Sequence, residues 1–113
     1  MDLLSGFYQI RMRESDIEKT GFCTPFGNFH FKVMAMGLCG APSTFQYLMD
    51  DVFRAPLDVG DTSVPYWKFL AVYLDDICIF SSSLKEHVLH LRAVLLRLRA
   101  WQLYVKPKKC AWA

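Results

Sequence analysis

The chain has 113 residues, of which 53% are hydrophobic, 15% aromatic and 21% charged, with a formal net charge of +2. That allows one small domain of globular composition, without internal repeats or low-complexity tracts. Unbroken apolar runs reach only about six residues against the ~18 that a membrane span needs. "MDLLSGFYQI" also lacks the basic region and apolar core of a signal peptide, so a soluble, intracellular protein with no membrane partner is expected.

Charge is unevenly placed. Residues 1–80 carry six basic and ten acidic side chains, whereas residues 81–113 carry seven basic side chains and Glu86. An acidic half followed by a basic half suits a metal site beside a polyanion, although a solvated basic helix explains the second half equally well. Cys23, Cys39, Cys78 and Cys110 are too far apart for a metal knuckle and are expected to be reduced, packed thiols.

Residues 20–36 alternate apolar and polar around Phe22, Phe26, Phe29 and Phe31, with Pro25, Gly27 and Asn28 supplying turn chemistry, so they predict a β-hairpin. "GLCGAP" at 37–42 reads as a loop. Phe45, Leu48, Met49, Val52 and Phe53 then recur at helical spacing, and Ser43 with Gln46 predicts a capping box. "APLDVGDTSVPY" at 55–66 has no period and reads as a surface loop. Residues 68–80 read as two buried strands joined at Asp75 and Asp76. Ser83 with Glu86 opens a second helix whose buried face is expected to hold Val88, Leu91, Leu95, Leu98 and Trp101, with His87 and His90 turned away. Pro107 bars helical continuation, and "LYVKPKKCAWA" predicts a last short strand. The order of hairpin, helix, hairpin, helix and strand predicts an α+β fold, an antiparallel sheet with helices packed on one face.

Two pairs of adjacent aspartates invite comparison. Asp50 and Asp51 fall on the polar face of the first helix and are expected to be solvated and idle. Asp75 and Asp76 interrupt "FLAVYLDDICIF", and no basic residue lies between Lys68 and Lys85. Aspartate is a common turn residue, but a tight hairpin turn usually adds Gly or Asn, which are absent here. Two carboxylates in an apolar setting are costly unless paired, and hard oxygen donors favour Mg²⁺ as the partner. "EHVLH" at 86–90 matches neither common zinc-helix pattern and is not expected to bind zinc.

Tyr73-Leu74-Asp75-Asp76 between two apolar strands resembles the Y-x-D-D hairpin of reverse transcriptases. "DLLSGFYQIRM" at 2–12, "VMAMGLCGAPSTFQYLMD" at 33–50, "VYLDDICIFSSSLKEHVLHL" at 72–91 and "LYVKPKKCAW" at 103–112 are similar, in order, to blocks of gypsy-type long-terminal-repeat retrotransposon polymerases. The resemblance covers most of the chain. It implies a reverse transcriptase palm, an RNA-directed DNA polymerase acting on an RNA or DNA template with primer and on deoxynucleoside triphosphates.

Residue by residue, the resemblance implies that Asp2, Asp75 and Asp76 are the catalytic, metal-holding carboxylates for two Mg²⁺ ions, with Mn²⁺ as a substitute. It places Phe7 against the sugar of the incoming nucleotide, Gly37 in the loop before the helix under template and nucleotide, and Tyr73 near the primer terminus. Gly40 stands where the family usually has Asn, and Ala35 where it has Pro. Residues 1–113 are expected to be a partial palm lacking fingers, primer grip and thumb, and so inactive in isolation. With the strand before Asp2 reduced to Met1, its carboxylate is expected to be poorly held. The alternative reading is a catalytically dead retroelement remnant that binds nucleic acid or protein.

Overall fold

The computed structural model of the chain describes residues 1–59 and 62–112. Two hairpins lie within the stretches where the sequence predicts them, the first shorter than 20–36 and the second turning at Leu74–Asp75, so that Asp76 belongs to a strand and not to the turn. Strands β1 (Phe22–Thr24) and β2 (Gly27–Phe29) pair antiparallel around the Pro25–Phe26 turn. Strands β5 (Leu70–Tyr73) and β6 (Asp76–Ile79) pair with Tyr73 opposite Asp76. A third hairpin, β3 (Leu57–Val59) with β4 (Thr62–Val64), occupies the 55–66 stretch expected to be a loop. Part of its anchoring comes from afar: the Arg97 guanidinium donates to the carbonyls of Ala55 and Pro56, both at 3.3 Å. No local period could have announced that contact.

The β5–β6 pair extends into a broader antiparallel surface through isolated bridges. Asp2 pairs with Asp76 on one side, and Leu3 pairs with Val105 on the other. Residues 1–4 therefore run between β6 and the 103–106 segment, where the expected last strand is reduced to a stub bridged at Val105 and followed by a 3-10 turn over Pro107–Lys109. Because cross-strand partners share a face, Leu70, Val72, Ile77, Ile79, Leu3 and Val105 point one way. Ala71, Tyr73, Asp76, Cys78 and Asp2 point the other. Only the first set packs against helices, consistent with helices on one face of an antiparallel sheet.

After the one-turn helix α1 (Glu14–Ile17), helix α2 (Ala41–Val52) buries Ala41, Phe45, Met49 and Val52 on that inner face. Phe45, Met49 and Val52 are fully enclosed, and burying each such side chain stabilises by about 1.5–3 kcal/mol. The expected Ser43 cap is not made. Gly40 takes the N-cap position without a side-chain bond, Pro42 sits inside the first turn, and Gln46 is engaged elsewhere.

Helix α3 (Leu84–Ala100) starts as expected, with Ser83 Oγ accepting the Glu86 N–H at 3.3 Å. Its end is set before Pro107. Gln102 adopts φ 56°, its N–H donates to Arg99, and the Leu103 N–H donates to Leu98 at 2.8 Å. This is a Schellman ending with Gln in the left-handed position, closed by the buried pair Leu98 and Leu103.

The packed face of α3 is rotated from the one its apolar spacing suggests. Ala93, Val94 and Leu98 are buried, Leu91 and Leu95 are half-buried, and Val88 and Trp101 are exposed. His90 instead faces the core side, stacked flat on Phe69 at 4.0 Å, and Ser81 Oγ lies 2.8 Å from its Nδ1 and 3.2 Å from that of His87. A serine partner removes the penalty that would keep these imidazoles outside. The thiols also differ from expectation: Cys23, Cys39 and Cys78 are exposed and Cys110 is half-buried, all of them free.

Candidate active site

The β5–β6 turn is a two-residue loop, Leu74–Asp75. Leu74 has φ 51°, whereas Asp75 is not among the positive-φ residues. That sign pattern is the one of a type II′ turn, which prefers glycine at its first central position. A leucine there costs roughly 1 kcal/mol or more of backbone strain. The strained position is supported from α2, where Gln46 Oε1 accepts the Leu74 N–H at 2.9 Å. Gln46 Nε2 in turn donates to Asp50 Oδ1 at 2.9 Å. Asp50 is thus solvent-exposed, as expected, but not idle, whereas Asp51 pairs only with exposed Arg54 at 2.8 Å.

The carboxylates prove less buried than "FLAVYLDDICIF" implies. Asp75 is half-buried and Asp76 exposed, because only the inner face of the hairpin is covered. Desolvation is therefore a smaller cost than a fully buried strand pair would impose. Crowding is the larger one. The Leu3 N–H donates to Asp75 O at 3.2 Å and the Ile77 N–H to Met1 O at 2.8 Å, which makes Asp2 and Asp76 a non-hydrogen-bonded cross-strand pair. Side chains are closest in such pairs, and like charges there repel.

Asp2 is also better held than the sequence suggests. Its backbone bridges Asp76 on one side and its carbonyl accepts the Lys106 N–H at 2.9 Å on the other. Its carboxylate Oδ2 lies 3.3 Å from Lys109 Nζ. The basic end of the sequence therefore folds back onto its acidic start, where a cation offsets the Asp2–Asp76 repulsion. Beyond Asp2 the chain turns sharply. Ser5 has φ 49°, and Gly6 is buried where an added Cβ would lie 2.8 Å from Phe45 Cζ and 3.3 Å from Asp75 Cβ. Only glycine lets this segment approach both.

Gln9 locks the same corner. Its Nε2 donates to Leu4 O at 2.6 Å and Tyr104 O at 2.9 Å, while its Oε1 accepts the Tyr104 N–H at 2.8 Å.

Tyr73, Asp76 and Asp2 form a row across three strands on the outer face, with Tyr73 74% exposed. Asp75 sits beside that row in the turn. Phe7 is half-buried, edge-on to Phe45 at 5.3 Å. Gly37 lies in the exposed loop before α2 with φ 91°, so glycine is needed there for conformation rather than space. Among the described residues, no three of His, Cys, Asp and Glu converge as a ready-made metal cluster. Three carboxylates nonetheless lie at one end of one sheet, and hard oxygen donors of this kind suit Mg²⁺ or Mn²⁺ and not a soft thiolate-binding ion. Sequence reasoning missed Gln9, Gln46, Asp50 and Lys109. Each acts on a partner at least four positions away, and three of them on partners distant in sequence.

No helix among the described residues is long and apolar enough to cross a membrane. The chain is 40% identical over 110 residues to the retrovirus-related Pol polyprotein from transposon 297 of Drosophila melanogaster, covering 97% of this chain and 10% of that protein. It is 42% identical over 97 residues to an RNA-directed DNA polymerase homolog of Oenothera berteroana, covering 83% of this chain and 62% of that one. It thus spans about a tenth of the transposon polyprotein. Its fold matches that of a foamy viral protease-reverse transcriptase solved in complex with dsDNA, with TM-score 0.80 and 22% identity over 98% of this chain and 21% of the other. The family model described as reverse transcriptase (RNA-dependent DNA polymerase) matches residues 1–113 throughout, and the chain belongs to that family.

Proposed function

We propose that residues 1–113 form part of the palm of a gypsy-type retroelement polymerase that copies an RNA or DNA template. The reaction joins the primer 3′-oxygen to the α-phosphorus of a deoxynucleoside triphosphate. The α–β phosphoanhydride bond breaks, pyrophosphate leaves, and the hydroxyl proton is lost. The observation that carries this reading is the row of Tyr73, Asp76 and Asp2 beside the strained Leu74–Asp75 turn, on a face left open by the helices.

Asp2, Asp75 and Asp76 are the residues that would hold two divalent cations, Mg²⁺ or in its place Mn²⁺. When bound, these supply an acidified 3′-hydroxyl and a clamp on the triphosphate charge. The chain's own contribution is positional. The Asp2 backbone is tied to both neighbouring segments, and Gln46 holds the turn that carries Asp75. Tyr73, exposed in line with the carboxylates, is placed to meet the primer terminus or template strand. Phe7, seated on buried Phe45, presents a rigid ring to the nucleotide sugar, where it would exclude a 2′-hydroxyl. Gly37 shapes the loop leading into α2 beneath template and nucleotide.

The reading is tested on the chain by adding Mn²⁺ and recording which NMR resonances broaden. Selective broadening around Asp2, Asp75 and Asp76 that disappears in Asp75→Asn is expected. Uniform weak broadening, unchanged in Asp75→Asn, would remove the metal assignment.

A further inference from the structure

Gln46 can support Leu74 only if its amide is the right way round. The carbonyl oxygen must meet the Leu74 N–H, and the two ends of a glutamine amide are nearly equal in shape. The reverse rotamer would set an NH₂ against an N–H. The Leu74 N–H itself disfavours that rotamer, and Asp50 adds a second bias in the same direction. It lies four residues on, one turn along α2 and on the same side, and its ionised carboxylate can only accept. It therefore draws Nε2 towards itself at 2.9 Å and leaves Oε1 facing the turn. The platform is rigid, since Phe45 and Met49 between and beside these residues are fully buried.

We propose that Asp50 is a positioning residue for the polymerase reaction, acting through Gln46 on the Leu74 amide and so on the carboxylate of Asp75. The proposal rests on the polymerase reading for its functional meaning. The relay itself rests only on the two hydrogen bonds and the positive φ of Leu74. Asp50 is exposed, so its bond adds little to global stability; its effect is on one turn. The competing view is that Gln46 and Asp50 form an ordinary i,i+4 pair that strengthens α2. The two views separate at Asp50→Ala. Alanine is the better helix former, so a helix-strengthening role is largely compensated there and a relay is not.

The test is amide hydrogen exchange by NMR on the 113-residue chain in five forms: unaltered, Asp50→Ala, Asp50→Asn, Gln46→Ala and the double variant of the two alanine changes. Exchange at Leu74 is expected to rise about three- to tenfold in Gln46→Ala, as for one lost hydrogen bond, and by a smaller but resolvable factor in Asp50→Ala, where Oε1 remains but is less firmly oriented. The double variant should match Gln46→Ala, since both changes act through one bond. Core amides such as Val94 should be unmoved. Asp50→Asn should fall between, because its amide can accept from or donate to either Gln46 rotamer. An unchanged Leu74 rate in Asp50→Ala would overturn the proposal. So would a further rise when Asp50→Ala is added to Gln46→Ala, or a rise spread equally over α2. No metal, primer or nucleotide enters these measurements, so their failure is distinct from failure of the Mn²⁺ test.

Discussion

Asp2 and Asp76 are cross-strand partners in a non-hydrogen-bonded pair, and Lys109 Nζ lies 3.3 Å from Asp2 Oδ2. Two carboxylates so placed are a poor choice for stability and a reasonable one for gathering cations. That conflict is what separates them from Asp51, whose exposed pairing with Arg54 carries no like-charge neighbour across a strand. The consequences can be measured.

In a polymerase that combines this palm with fingers and thumb, Asp75→Asn and Asp76→Asn should each reduce nucleotide incorporation by more than about a hundredfold. Loss of a mere supporting partner of a metal ligand already costs 10–100-fold. Binding of primer–template duplex should survive, because Lys and Arg contacts to phosphates supply sequence-independent affinity. Incorporation near the unsubstituted rate would sink the carboxylate assignment.

Gly6→Ala should destabilise the chain by about 1–3 kcal/mol, the usual cost of forcing atoms into a packed site. The new Cβ meets Phe45 Cζ at 2.8 Å, and Phe45 is fully enclosed and unable to swing away. The check is the urea midpoint, which should fall while the slope of the transition is unchanged. A midpoint equal to that of the parent would mean that the 4–7 corner yields freely.

Phe7→Val has two separable effects. Loss of the edge-on contact with Phe45 should cost about 1–2 kcal/mol of stability. In the combined polymerase the ratio of ribo- to deoxyribonucleotide incorporation efficiency should rise about tenfold or more, since a steric barrier to one small group is worth that much. A stability loss with an unchanged ratio would make Phe7 a packing residue and place sugar discrimination elsewhere.

The 113-residue chain by itself should not extend a primer in Mg²⁺ or Mn²⁺ above an Asp75→Asn control. Asp2 is held well enough in the sheet, so the deficit lies elsewhere. Tyr73, Asp76 and Asp2 lie on an open sheet face, and in-line displacement needs reacting atoms aligned within fractions of an ångström. Templated extension above the control would show that these carboxylates and their sheet suffice.

Much of this molecule is local and therefore legible in sequence. The 20–36 hairpin follows from alternation and turn residues, and the buried stripe of α2 from the spacing of Phe45, Met49 and Val52. The start of α3 follows from Ser83, and four ordered blocks identify the family. Each of these signals is written within a few residues of where it acts. Readings failed where the deciding partner lay far along the chain. Arg97 ties down Ala55 and Pro56, at the start of a stretch that looked like a loop, and Ser81 and Phe69 turn the imidazole of His90 inward.

The candidate site divides the same way. Sequence alone determined that Asp2, Asp75 and Asp76 are the carboxylates to examine, because residue identity in an ordered pattern is a one-dimensional property. Only the tertiary structure decided that Asp2 faces Asp76 across a strand pair, with Lys109 brought back to it over more than a hundred positions. It also decided that Gln46, which sequence had assigned to a helix cap, reaches across to Leu74 instead. A glutamine amide satisfies whichever backbone group folding brings near, and a strained turn amide left without a ladder partner competes better for it than a helix end open to water.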